Sequence, residues 1–280
     1  MDEWLERLRL PIGDWVEALV VWVQDHFTPL LDGIATFIGL FTDLFQDVLL
    51  WLPAWLLALI LVGLSAWRVS WRFGLFALIA LATIIGMGLW VQTMQTLALV
   101  LASSLVALLI GLPIGIAMAR SDTVESICRP VLDFMQTMPP FVYLIPAAIF
   151  FGLGTVPGAI ATVVFSMPPV VRLTNLGIRQ VSKEQIEAGF AFGCTRFQLL
   201  RKVQLPMAMP SIMAGVNQTI MLALSMVVIA SMIGAGGLGN TVLTGIQRLN
   251  VGLGFEGGLG VVILAILLDR ITQSFAPRRR

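Results

Sequence analysis

Residues 203–247 read VQLPMAMPSIMAGVNQTIMLALSMVVIASMIGAGGLGNTVLTGIQ, a run without one Lys, Arg, Asp or Glu. Two further charge-free runs cover 73–119 and 134–171. Each is longer than the roughly 20 apolar residues that one spanning helix requires. Across the 280 residues, 58% are hydrophobic and 12% charged, against about a quarter charged in an ordinary soluble domain. The fold class read from this is all-α, a polytopic membrane protein.

Working outward, the sequence predicts about seven transmembrane helices, near 48–66, 73–90, 96–118, 139–153, 157–171, 212–234 and 257–276. The fourth and fifth are short and broken by Pro and Gly, so an irregular course within the bundle is expected there. Residues 1–47 carry nine acids against two bases. Single acids interrupt short apolar clusters, which suits helices lying at an interface, and a cationic signal-peptide start is missing. Cytoplasmic loops retain Lys and Arg. With seven crossings and the C-terminus inside, fourteen of the seventeen bases fall on the inner side, only Arg7, Arg9 and Arg248 being outside. All eight tryptophans precede residue 91, which places the first two spans toward lipid and leaves a bundle richer in Gly and Ala after them. Gly111 with Gly115, and Gly154 with Gly158, have the spacing of close helix contacts.

Several function classes are excluded or set aside. A net charge of +1 gives no nucleic-acid footprint. Cys128 and Cys194 form neither a disulfide framework nor a metal spacing; His26 stands alone, and no metal is expected. Gly234 to Gly239 fits G-x-G-x-x-G, but it ends a long apolar helix instead of joining a strand to a helix, so dinucleotide binding is rejected in favour of a turn. The only lysines, Lys183 and Lys202, follow Ser182 and Arg201, so no phosphate-binding loop exists in this sequence.

The longest hydrophilic segment is 172–211. Ser182-Lys183-Glu184-Gln185 fits a capping box that starts a short helix, and Gly193 supplies a left-handed terminus. Thr195-Arg196-Phe197-Gln198 is a second capping box, and Pro206 is expected to stop its helix at Leu205. Ile186 and Phe190 make one apolar ridge; Phe197, Leu200 and Val203 make the next. From the residues alone this is either a knob for a partner's groove or a linker tucked beneath its own bundle.

Glu187-Ala188-Gly189, then Gly193, then Val203-Gln204-Leu205-Pro206 resembles the signature loop of ABC importer permeases: Glu-Ala-Ala, three residues, Gly, nine residues, Ile, any residue, Leu-Pro. Gly189 replaces the second Ala and Val203 the Ile. The resemblance implies a five-helix core over 96–276, an ATPase-coupling loop made by Glu187, Ala188, Gly189, Gly193, Val203, Leu205 and Pro206, and a basic cytoplasmic tail at 277–280. It also implies partners: two ABC ATPase subunits, a second permease copy forming a homodimer, and an extracytoplasmic substrate-binding protein. ATP and Mg would then sit on the ATPase subunit, with no cofactor on this chain and no hydrolysis by it. Residues 133–146, 172–179 and 225–239 are similar to permeases for glycine betaine, proline betaine and choline, which implies a bacterial inner-membrane location.

Quaternary ammonium groups are held by aromatic faces, and the core offers Phe134, Phe141, Tyr143, Phe150, Phe151 and Phe165, for which packing is the favoured reading over a cage. Phe141, Tyr143, Ser225, Gly234, Gly236 and Gly237 are the candidates for the translocation path. Asp133, Glu256 and Asp269 are expected at span ends, Asp269 pairing with the adjacent Arg270. Two other readings stay open: a permease of this class for another small solute such as an amino acid, and an ion-coupled secondary transporter.

Overall fold

The computed structural model describes residues 11–275, and every regular element among them is helical. The helices are α1 (Ile12–Trp51), α2 (Ala54–Arg68), α3 (Trp71–Gly86), α4 (Trp90–Arg120), α5 (Asp122–Thr137), α6 (Pro140–Phe151), α7 (Thr155–Ser166), α8 (Pro168–Arg179), α9 (Lys183–Ala191), α10 (Arg196–Leu199), α11 (Leu205–Ser231), α12 (Gly237–Gln247) and α13 (Val251–Gln273); a π-helical turn, Leu200–Gln204, joins α10 to α11.

Five stretches are long and apolar enough to cross a bilayer: Ile12–Trp51, Trp90–Arg120, Thr155–Arg179, Arg196–Ser231 and Val251–Gln273. The α5–α6 pair, bent by 99°, makes a sixth if it is one broken span. Helices α2 and α3 have 15 and 16 residues, which at about 1.5 Å per residue reach only some 23 Å of a roughly 30 Å hydrocarbon core. The expectation of seven spans is thus approximate.

The N-terminal region departs most from expectation. Short interfacial helices were expected over 1–47 and a span over 48–66. Instead one 40-residue helix runs to Trp51, and the chain restarts after Pro53. Phe27 leaves helical geometry at φ −118°, ψ 17°, two residues before Pro29, whose ring removes a backbone donor and kinks the helix. Beyond the kink Ile38, Gly39 and Thr42 are buried, whereas Asp32, Asp43 and Asp47 are exposed. The acids lie off the packed face, so they do not interrupt the helix. The first ten residues and the basic tail at 277–280 lie outside the described residues.

The core is held by small residues. Helix α8 lies between α4 and α11, and a Cβ on Gly111 or Gly115 of α4 would stand 2.6 Å from Val170 Cγ1 or 2.7 Å from the Val171 carbonyl. On the opposite side, Gly177 faces Ser211, and Gly215 of α11 stands against the Val170 Cα. Where lipid gives no hydrophobic drive between helices, such approach supplies the packing. The sequence spacing of Gly111 and Gly115 therefore marks a real contact. Gly158 likewise faces Ala235.

Between α11 and α12 the chain reverses through Gly234, Gly236 and Gly237, all at positive φ. The Leu238 N–H donates to the buried Thr96 hydroxyl at 2.8 Å, and the Gly154 N–H donates to the Ile233 carbonyl at 2.8 Å. The G-x-G-x-x-G run is accordingly a packed helix turn.

Candidate functional site

The helical loop that follows α8 is built from two capped ends. Helix α9 closes in a complete Schellman arrangement: Gly193 at φ +77°, its N–H donating to the Phe190 carbonyl at 2.9 Å, and the Cys194 N–H donating to the Gly189 carbonyl at 3.1 Å. These bonds take up carbonyls that a helix end leaves unpaired. Helix α10 opens on the expected capping box, with the Gln198 N–H donating to the Thr195 hydroxyl at 3.3 Å and the Thr195 N–H to Gln198 Oε1 at 2.9 Å.

Two expectations fail here. Ser182 caps α9 by position but accepts no backbone N–H. The exposed Glu184 carboxyl nearby is held below the usual range by its own backbone N–H and, second, by the Ser182 hydroxyl. Nor does Pro206 end the helix. The Leu205 N–H bonds the Leu200 carbonyl, the wider i−5 spacing of a π turn. Pro206 then falls in the first turn of α11, where a missing N–H is tolerated. The run from Arg196 to Ser231 is continuous.

Leu199 and Leu200 are buried, Leu200 packing with Ile178, Ala208 and Ile212; this fixes α10 to the bundle. Helix α9 rests on it through Gly189, where a Cβ would stand 2.5 Å from Leu199 Cδ1 and 3.9 Å from Val203 Cγ2. Gly189, Val203 and Leu205 are therefore inward residues, while Glu187, Ala188, Gly193 and Pro206 are exposed. The outer surface carries Phe190, Phe197 and Phe192, the last 89% exposed. Phe192 was missed because it follows the last helical turn and so lies on neither expected ridge; Leu200, assigned to a ridge, is buried.

The proposed path residues do not form one cluster. Tyr143 packs with Phe165 and Met226 and donates its hydroxyl to the Met135 carbonyl. Phe141 is exposed. Ser225 is exposed on α11 in line with Ala214, Gln218 and Met232, and its hydroxyl bonds back to the Met221 carbonyl at 2.9 Å. Gly234, Gly236 and Gly237 lie in the far turn. Asp133 pairs with Arg172, as a span-end acid should. Asp269 does not pair with Arg270; it accepts from Asn217 at 2.8 Å and Gln273 at 2.6 Å, because i and i+4 share a helix face and adjacent residues do not. Glu256 is exposed. His26 stacks on Trp22, and no metal-binding cluster occurs among the described residues.

Comparison with known proteins gives a family, close relatives and a fold. Residues 111–280 match the family described as binding-protein-dependent transport system inner membrane component. The chain is 53% identical to the glycine betaine/carnitine transport permease protein GbuB of Listeria monocytogenes, over 97% of each chain. It is 52% identical to the glycine betaine/proline betaine transport system permease protein ProW of Escherichia coli, over 95% of this chain and 75% of that one. In fold it resembles a chain of the inward-facing MetNI methionine ABC transporter, with a TM-score of 0.60 at 23% identity over 68% of this chain and 96% of that one.

Proposed function

The chain belongs to the family of binding-protein-dependent transport system inner membrane components, and on that premise we propose that it is the permease subunit of an ATP-driven ABC importer for glycine betaine and related zwitterionic betaines. The observation that carries the mechanism is the α9–α10 knob: both facing ends are capped, its base is fixed by Leu199 and Leu200, and its tip exposes Phe190, Phe192 and Phe197. An aromatic ridge of this kind fits a groove on a partner. Glu187, Ala188, Gly189, Gly193, Val203, Leu205 and Pro206 form the coupling loop in this reading, Glu187 and Gly193 on the docking side and Gly189, Val203 and Leu205 behind it.

The ATPase and the substrate-binding protein are separate chains. Two ATPase subunits hold ATP and Mg and hydrolyse it; two copies of this permease face one another, and the α9–α10 knobs carry the closure of the ATPase pair into the five-helix cores, 96–276, which alternate between inward-open and outward-open states. The protein is a multi-pass component of the inner membrane. Its C-terminus and the α9–α10 loop face the cytoplasm, and its N-terminal segment lies outside. The exposed stripe of α11 with Gln218 and Ser225, together with Phe141, Tyr143 and the Gly234–Gly237 turn, borders the path. The binding protein supplies most of the selectivity.

Reconstitution with the ATPase and binding protein tests this: ATP-dependent uptake of labelled glycine betaine is expected, with carnitine and proline betaine competing more strongly than choline or methionine. Uptake by the purified chain alone under an ion gradient would overturn it in favour of a secondary transporter, and preferential competition by methionine would favour an amino-acid permease.

A further inference from the structure

Helix α5 buries only Leu132, yet it stands fixed against α8 across a cleft of about 410 Å³ lined by Glu125, Arg129, Asp133, Arg172, Asn175 and Arg179. Leu132, flanked by Val124, Cys128 and Met135, joins Met118, Val170 and Val171 in one apolar cluster, and what bridges the cleft beside it is ionic. Arg179, the last residue of α8, reaches Asp122 at 2.7 Å through Nη1 and Glu125 at 3.0 Å through Nη2. The same Nη2 donates to the Met118 carbonyl of α4 at 2.8 Å, and Nε donates to Asn175 Oδ1 at 3.0 Å. Asn175 in turn donates to Glu125 Oε1 at 3.1 Å, and Arg129 donates to the same oxygen at 2.9 Å. Arg172 with Asp133 closes the far end of the cleft. One guanidinium thus joins the end of α4, the start of α5 and the end of α8.

We propose that Arg179 is a positioning residue for coupling: it makes α5 move with α8, so that displacement of the α9–α10 knob reaches α6 through the 99° bend as well as through α8 itself. Only residues 180–182 separate Arg179 from α9, and α5 feeds directly into α6. Isolated exposed ion pairs contribute little. Glu125, however, keeps only 17% of its side-chain surface exposed, and removing the guanidinium leaves that mostly buried carboxylate without its Arg179 partner. A lysine cannot replace the fork, because an ammonium lacks the planar donors that serve four acceptors at once.

The proposal rests on the importer reading above, and the experiment separates the two. In the complete reconstituted transporter, spin labels are placed at Ser126→Cys on α5 and Leu176→Cys on α8, with both native cysteines replaced by alanine. In the otherwise unaltered chain the label separation is expected to be the same nucleotide-free and ATP-trapped. In Arg179→Gln the separation should broaden and differ between states, while uptake per ATP hydrolysed falls at least about tenfold, within the range of site–site coupling; Arg179→Lys should recover only part of it. A separation that changes between states in the unaltered chain overturns the proposal even if Arg179→Gln fails to assemble, and so does unaltered uptake per ATP in Arg179→Gln. Absence of ATP-driven uptake by the unaltered chain would instead refute the importer reading, which the separation measurement does not share.

Discussion

Leu199 Cδ1 lies 2.5 Å from the point where a Cβ on Gly189 would stand. The glycine that departs from the Glu-Ala-Ala signature is therefore occupied space, filled by a leucine from the next helix. Because the opposing atom is the end of a flexible chain, Gly189→Ala should be accommodated by a leucine shift, with assembly and uptake within about twofold of the parent, less than the 1.4 kcal/mol that a tenfold change represents. Gly189→Leu has no such room and should lift α9 from α10, abolishing ATPase-coupled uptake while membrane insertion persists. Adding Leu199→Ala to Gly189→Leu should restore part of the uptake, measured in the same vesicles.

At Gly193 the constraint is backbone and nothing else. Its φ is +77°, and a Cβ there would meet no atom within 4 Å. Asn, which visits the left-handed region, should substitute with little loss. Ala should cost about 1–2 kcal/mol, and a β-branched Val more. Uptake should follow the order Gly, Asn, Ala, Val, and an order set by side-chain volume or polarity would refute this account.

In the membrane core, a Cβ on Gly115 would stand 2.7 Å from both the Val171 carbonyl and Thr174 Cβ. A backbone oxygen cannot retreat as a side chain does. Gly115→Ala should destabilise by about 1–3 kcal/mol, the range for overpacking, seen as a lower unfolding temperature in detergent. Gly63, inside α2 and with no neighbour within 4 Å, serves as the control and should accept Ala with no loss of stability.

The start of α9 should respond to acid. The Glu184 carboxyl is lowered from 4.5 chiefly by its own backbone N–H and then by the Ser182 hydroxyl. A depressed carboxylate contributes its stabilisation fully above the unfolded value and loses it as pH falls through the folded one. Amide protection factors at the start of α9, that is, exchange rates corrected for the intrinsic pH dependence of amide exchange, should accordingly be flat above pH 4.5 and fall only below it. Glu184→Gln should remove that pH dependence.

Much of the loop was legible because its signals are local. Gly193 follows a short helix of mixed charged and apolar residues, and Thr195 with Gln198 satisfies both halves of a box within four residues. The failures were also local, in competition between signals. Ser182 stands at the cap position of α9 without accepting a backbone N–H, and Pro206 was read as a stop because nothing in the residues announces a π turn that moves it into a first turn. Helix α1 was divided because its acids were counted along the chain and not around it. The Arg179 network was out of reach for another reason: Asp133 and Arg172 are 39 positions apart, and Glu125 and Asn175 are 50, so their meeting is decided by how α8 settles into the glycine surface of α4.

The uninterrupted run from Arg196 to Ser231 has a mechanical corollary. Its 36 residues at about 1.5 Å each make a rod of roughly 54 Å, pinned near one end by Leu199 and Leu200 and ending beside the reversed glycine turn at the other. For a lever of that length, each degree of tilt about the pinned end displaces the distal tip by about 1 Å, by the geometry of a straight helix. In the importer reading, opening the glycine turn by the width of a small solute thus asks only a few degrees at the base, a change that a neighbour gripping three phenylalanines could impose without unfolding a single hydrogen-bonded turn.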